Sequence, residues 1–192
     1  LSITYTYIGM TKFSVLLILA CVLAIAFAHA GDKLERGKKS DKMATVGTNI
    51  GGWMVLEPWI TPSLFYRFLG KTKSEGVGVD SYTFCEALGP KEGNAVMRSH
   101  WDNWVTEDHI KGLAQRKVEV VRLPVGDWTL EPYGPYKGCM DGSIEKIQWF
   151  LDTCEKYGLK VLIDIHAAKD SQNGFDNSGK AWSFNWLNET HF

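Results

Sequence analysis

VEVVRLPV, residues 118–125, is a β-branched run closed by Pro124, and such composition suits the interior of a strand. It is apolar along most of its length, the pattern of a strand buried on both faces, as in a parallel sheet. Downstream, KVLIDIH at 160–166 repeats the pattern. Between the two, a helical stretch opens at Ser143, which reads as its cap, runs through Tyr157 and stops at Gly158. Upstream, VGTNIGGWMVLEPW at 46–59 joins a short apolar strand to a Gly pair and a Pro-punctuated loop. Strands alternating with helices require crossover connections and a parallel sheet covered by helices. Two architectures fit, a (β/α)8 barrel and an open doubly wound sheet. No Gly-rich phosphate loop follows any of these strands, which weakens the nucleotide-binding form of the open sheet.

Working outward, residues 62–80 read as loop, and SYTFCEAL at 81–88 suits a short helix opened by Ser81. From Lys91 the spacing of Val96, His100, Trp101, Trp104, Val105, Ile110 and Leu113 is helical. A new start is expected at Thr106, with Thr106 as N-cap and Glu107 and Asp108 in the first turn. After His166 the loop residues Ser171, Gly174, Asn177 and Gly179 follow. Residues 31–45 are polar and mixed in charge and read as a flexible leader, with structure beginning near Val46. Before them, Lys12, the apolar run Phe13 to Ala28 and the triplet Ala28-His29-Ala30 have the order of a signal peptide over residues 10–30. The run falls short of the roughly 20 apolar residues of a spanning helix. Residues 1–9 read as translated upstream sequence ahead of an initiating Met10. Secretion would permit disulfides. However, Cys85, Cys139 and Cys154 are odd in number once Cys21 leaves, and each reads as a buried thiol.

A net charge of −1 and 45% hydrophobic residues describe an ordinary globular chain and give no basic footprint for nucleic acid. Eight Trp is a high number; such residues either fill a core or stack on sugars, and composition alone favours the core. In a barrel, functional groups gather at the C-terminal ends of strands. Glu57, Arg122 and His166 stand there. An unpaired guanidinium in a strand is costly, so Arg122 needs a carboxylate nearby, yet its own strand offers only Glu119. Asp164 shares a strand face with His166. His100 and His109 lack a second His or Cys at helical spacing, so no metal site emerges, and no cofactor is expected. Without a Gly-x-Ser-x-Gly elbow, a serine hydrolase is disfavoured.

NIGGWMVLEPWITPSLF (49–65), HWDNWVTEDHIKGLAQRKVEVVRLPVGDW (100–128) and VLIDIHAAKDSQNGFDNSG (161–179) resemble glycoside hydrolase family 5, and within it the fungal-type exo-β-1,3-glucanases. The resemblance runs from about Val46 to the end. It implies a (β/α)8 barrel and a retaining mechanism, with an acid/base Glu ending the fourth strand and a nucleophile Glu ending the seventh. It implies that Arg122 lies beneath the nucleophile, that His166 bonds within the subsite of the scissile sugar, and that Glu57 and Asp176 bind hydroxyls of the terminal glucose. Phe175 would wall the entrance, and Trp59 would line the same pocket. Lys169-Asp170 departs from the Pro-Gly frequent in the family at that place. Asn188-Glu189-Thr190 lies only 23 residues past His166, is not followed by Pro, and reads as a glycosylation sequon rather than the acid/base motif. On this reading residues 46–192 hold about the first three β/α units, without either catalytic Glu. The implied partner is a β-glucan, the implied state a secreted monomer at full length with no membrane attachment after signal removal. Two alternatives stand: a catalytically inactive carbohydrate-binding or interaction protein, and an endo-β-glucanase of the same family.

Overall fold

The computed structural model describes residues 45–187; the expected upstream segment, signal peptide, the leader up to residue 44 and the sequon lie outside them. Three parallel strands form one sheet in the order β1 (Gly47–Asn49), β2 (Val120–Gly126), β3 (Lys160–Ala167). Helices α1 (Ser81–Trp104) and α2 (Glu107–Gln115) connect β1 to β2, and α3 (Ser143–Lys156) connects β2 to β3. Asn49 lies in register with Arg122, and Arg122 with Leu162. Because side chains alternate along a strand, Val121, Leu123 and Val125 occupy one face, where they are buried. Arg122, Asp164 and His166 share the other.

The core on the helical side is aromatic. Trp53, fully buried, stacks at a tilt on Phe150 of α3 with centroids 5.3 Å apart, and its indole N–H donates to the Trp101 carbonyl of α1 at 3.2 Å. A second cluster joins Phe65, Phe68 and Phe84, with centroid separations of 5.7 and 5.9 Å to Phe84. It seals the 62–80 segment, irregular apart from short helical turns, against α1.

Several sequence expectations are corrected at their ends. The cap of α1 is Asp80, whose Oδ1 accepts from the Thr83 amide at 2.7 Å. Ser81 instead accepts from the Leu56 amide at 2.9 Å, tying the Glu57 loop to the helix. The expected separation of an 81–88 helix from the following one survives as a break at Gly89, whose φ of 69° is left-handed. Thr106 caps α2 as expected, accepting from the His109 amide. The residue before α3 that takes the cap position is Gly142, not Ser143; it is left-handed and lies against Arg98. Pro124 does not end β2, which continues to Gly126. The Arg122 carbonyl bonds the Ile50 amide on the β1 side, so the backbone of residue 124 faces the same side, beyond the last residue of β1 paired with it. A missing N–H costs no ladder bond there.

The cysteine reading is overturned more fully. Cys85 and Cys139 form a disulfide with Cα atoms 5.8 Å apart, and among the described residues only Cys154 is a buried free thiol. Gly93 makes room for this bridge, since a Cβ there would meet Cys139 Sγ at 2.6 Å. Among the described residues no helix is long and apolar enough to cross a membrane.

Candidate functional site

Arg122 finds its carboxylate across the sheet. Its Nη2 donates to Asp164 Oδ2 at 2.5 Å, and its Nη1 donates to Asn49 Oδ1 at 2.8 Å. His166 Nδ1 lies 2.9 Å from the same Asp164 oxygen and 3.1 Å from Arg122 Nη2. An N–H at Nδ1 donates to Asp164 and leaves Nε2 for another partner. Asp164 therefore holds a guanidinium and an imidazole in fixed relation, a polar cluster drawn from all three strands.

The sheet itself helps aim His166. Val125 pairs with Ile165 but Gly126 pairs with Ala167, so His166 sits in a register shift between them. A bulge re-aims its residue and frees a backbone group. Here the His166 carbonyl is taken by the Gln172 side-chain amide at 2.7 Å, and the Gln172 side-chain oxygen accepts from the Ala168 amide at 3.0 Å.

Glu57 reaches the cluster from the loop after β1. Its carbonyl accepts from the Ile60 and Thr61 amides at 2.9 and 3.0 Å, which fixes the turn. The residue is only 6% exposed, and burial pushes its carboxyl above the usual range. The positive field of His166 and hydrogen bonds from the Gly52 backbone and the Trp59 side chain oppose that rise, while the negative charge of Asp176 adds to it. A desolvated carboxyl with a neighbouring imidazole and a second carboxylate is a group prepared to exchange hydrogen bonds with hydroxyls.

Asp176 and Phe175 sit on the loop after β3, whose SQNGFDNSG block satisfies its own polar groups. Ser171 Oγ accepts from the Gly174 amide at 2.8 Å and bonds Ser178 Oγ, which donates to the Phe175 carbonyl at 2.6 Å. Asn173 accepts from the Phe175 amide at 2.9 Å. The loop docks on α1, where Asp80 Oδ2 accepts from the Ala181 amide at 2.7 Å and the Gly179 carbonyl accepts from the Tyr82 amide at 2.9 Å. Phe175 is consequently 67% exposed on a fixed backbone.

Residues 85–190 match cellulase (glycosyl hydrolase family 5). The chain belongs to glycoside hydrolase family 5. Among curated relatives of this family 5 chain, it is 41% identical over 182 residues to glucan 1,3-beta-glucosidase of Pichia angusta, covering 92% of this chain and 40% of that protein. With glucan 1,3-beta-glucosidase of Lachancea kluyveri it shares 41% over 167 residues, 83% of this chain and 37% of that protein. With probable glucan 1,3-beta-glucosidase A of Aspergillus fumigatus it shares 37% over 182 residues, 91% of this chain and 42% of that protein. The chain thus spans about two fifths of the length of these relatives. Its backbone superimposes on the crystal structure of rutinosidase from Aspergillus niger with a TM-score of 0.63 over 77% of this chain and 40% of that one, at 24% identity, which shows a shared fold.

Within this family 5 chain, the residues singled out from sequence divide into two groups. Arg122, which stands third in β2 rather than at its C-terminal end, shares one hydrogen-bonded cluster with His166, while Glu57 couples to His166 through charge and Asp176 to Glu57. Phe175 and Asp176 line a cleft with Pro58, whereas Trp59, 73% exposed, lines a different hollow beside β1 with Ile60 and Trp104. Trp59 is joined to the site through Glu57 and not through a common wall with Phe175. Asp164 and Asn49 were missed as site members. Sharing a face with His166 was the available signal for Asp164; Asn49 becomes significant only once β1 and β2 are in register. Among the described residues no three His, Cys, Asp or Glu side chains are placed to hold a metal ion.

Proposed function

We propose that the protein to which this chain belongs hydrolyses β-1,3-glucan, releasing glucose from the chain end, by retaining double displacement. The observation that carries this reading is the bonded pair of Arg122 on β2 and His166 near the end of β3, with Glu57 and Asp176 on the loops after β1 and β3 and an exposed aromatic side chain beside them. The names of the relatives support β-1,3-glucan as the substrate: they are glucan 1,3-beta-glucosidases at 37–41% identity. The proposed architecture is a (β/α)8 barrel in which β1 to β3 are the first three strands and these groups line the C-terminal mouth.

In this mechanism Glu57 and Asp176 bind hydroxyls of the terminal glucose, with Phe175 against the next sugar and Trp59 bracing Glu57. Arg122 has five N–H donors. Its bonds to Asn49 and Asp164 leave donors for a nucleophilic carboxylate from a later strand, whose ionised form a guanidinium favours. His166 holds the scissile sugar's neighbourhood by hydrogen bonding. The acid/base and nucleophile glutamates stand on the fourth and seventh strands, about 5–5.5 Å apart as retention requires. No cofactor is needed, and the working form is a secreted monomer. The Cys85–Cys139 bridge supports an oxidising compartment.

The test is the full-length protein with laminarin and with cellulose. Glucose released from laminarin, first as the β-anomer by NMR, is the expected result. Preferential cleavage of cellulose would move the reading to an endo-β-glucanase, and laminarin binding without turnover would replace it with a carbohydrate-binding role. The 192-residue chain alone is expected to release no sugar from laminarin.

A further inference from the structure

Trp182 is 85% exposed and has a φ of 57°, in the left-handed region that bulky residues rarely adopt. Its backbone is nevertheless pinned. The Trp182 amide donates to the Gly174 carbonyl at 2.8 Å, the Ala181 amide donates to buried Asp80 at 2.7 Å, and Ser183 Oγ donates to the Asp170 carbonyl at 3.0 Å. Three consecutive residues are thus anchored so that an indole is held out where it has little to pack against. Strain that a surrounding structure enforces at a binding region is a pointer to function.

Trp182 and Phe175 form one side of a cleft of about 520 Å³, within the size range of ligand sites. Phe68 and Leu69 line the side contributed by the 62–80 segment. Asp176 also lines the cleft and is the carboxylate whose charge acts on Glu57, so the cleft continues from the group proposed to hold the terminal glucose. Asp176 is the one charged residue among those lining the cleft, so an anionic ligand is disfavoured. Aromatic faces with one carboxylate suit a neutral, polyhydroxylated ring, whose C–H face packs on an aromatic while its hydroxyls donate to an acid.

We infer that Trp182 is a specificity-determining residue: a stacking platform, with Phe175, for a glucosyl unit of β-1,3-glucan beyond those bound at Glu57 and Asp176. The inference rests on the β-1,3-glucan reading. It is tested in the full-length protein with Trp182→Ala, Trp182→Gly and Trp182→Phe. The readout is kcat/KM for a β-1,3-linked glucohexaose divided by that for an aryl β-glucoside.

The expected result is a fall of about tenfold in this ratio for Ala and Gly, carried by KM, as for loss of one aromatic contact. Phe should restore most of it. Trp182→Gly should also raise the thermal midpoint, since glycine adopts the left-handed conformation without strain. An unchanged ratio in folded Ala and Gly variants overturns the inference while leaving the hydrolase reading intact. If the wild type cleaves neither substrate, the hydrolase reading fails. The platform is then judged by calorimetric binding of the hexaose: weaker binding by Trp182→Ala supports it, and equal affinity overturns it.

Discussion

Asp164 is the residue on which the site's geometry turns, because one of its oxygens meets both the Arg122 guanidinium and the His166 imidazole. The pair is about one-third exposed, which screens its charge, yet removing one partner strands the other. In the full-length protein, Asp164→Asn and Arg122→Ala should each lower stability by about 1–2 kcal/mol. The double variant should cost less than the sum, with a coupling of at least about 0.5 kcal/mol in urea titrations. Additive losses would dismiss the pair as a unit. A second residue-scale expectation concerns His100, buried with Nε2 2.8 Å from the Gly52 carbonyl, whose burial lowers its pKa. The unfolded chain takes up that proton near 6.5 and the folded chain only at lower pH. Between those values the unfolded state binds more protons, so stability falls as pH falls, by at most about 1.4 kcal/mol per pH unit. Burial raises Glu57, Asp80 and Asp127, which gives the opposite slope just above the ordinary carboxylate range. The measurement is therefore the difference in urea midpoint between wild type and His100→Gln from pH 7 to pH 5. Wild type should lose the more, and parallel losses would remove His100 as the cause.

The elements were legible where local chemistry decides them and obscure where distant chain segments do. Thr106 with its acidic first turn announces α2, and apolar β2 and β3 announce a parallel sheet. The cap of α1 was misread because Asp80 and Ser81 are both good capping residues. The choice is made by Leu56, whose amide claims Ser81. Pro124 was misread because its tolerance depends on how short β1 is. The partner of Arg122 lies 42 residues away on β3, and no inspection of its own strand could supply it. The Cys85–Cys139 bridge, 54 residues apart, is the same case. It ties α1 to the turn at Tyr136–Cys139 and closes a long loop, so its reduction should cost about 4 kcal/mol by loop-closure entropy. A drop in urea midpoint with dithiothreitol, matched by Cys85→Ser with Cys139→Ser and absent when the double variant is itself reduced, is the expected pattern. Equal midpoints with and without reductant in wild type would show the bridge is not formed.

At the scale of the whole molecule, the two faces of β3 carry different demands. Asp164 and His166 belong to the site, while Ile163 and Ile165, 47% and 58% exposed, stand on the face that β2 presents to the helices with Val121, Leu123 and Val125 buried. Leu162 on the site face is 55% exposed as well. Among the described residues β3 is an edge strand, paired only through β2. An apolar edge with open backbone groups is a template for a second chain, and the chain spans only about two fifths of its relatives. The 192-residue chain expressed by itself should therefore self-associate above micromolar concentration. Ile163→Lys with Ile165→Lys should suppress that association, because a charge on an exposed edge opposes strand addition. The same pair in the full-length protein should instead destabilise it by several kcal/mol, since a helix following β3 in the proposed barrel would bury both positions. Static light scattering on the short chain and thermal unfolding of the long one measure the two effects. Opposite signs are required if β3 is an interior strand of the complete fold, and a short chain that stays monomeric with both isoleucines in place would show that this edge is already protected.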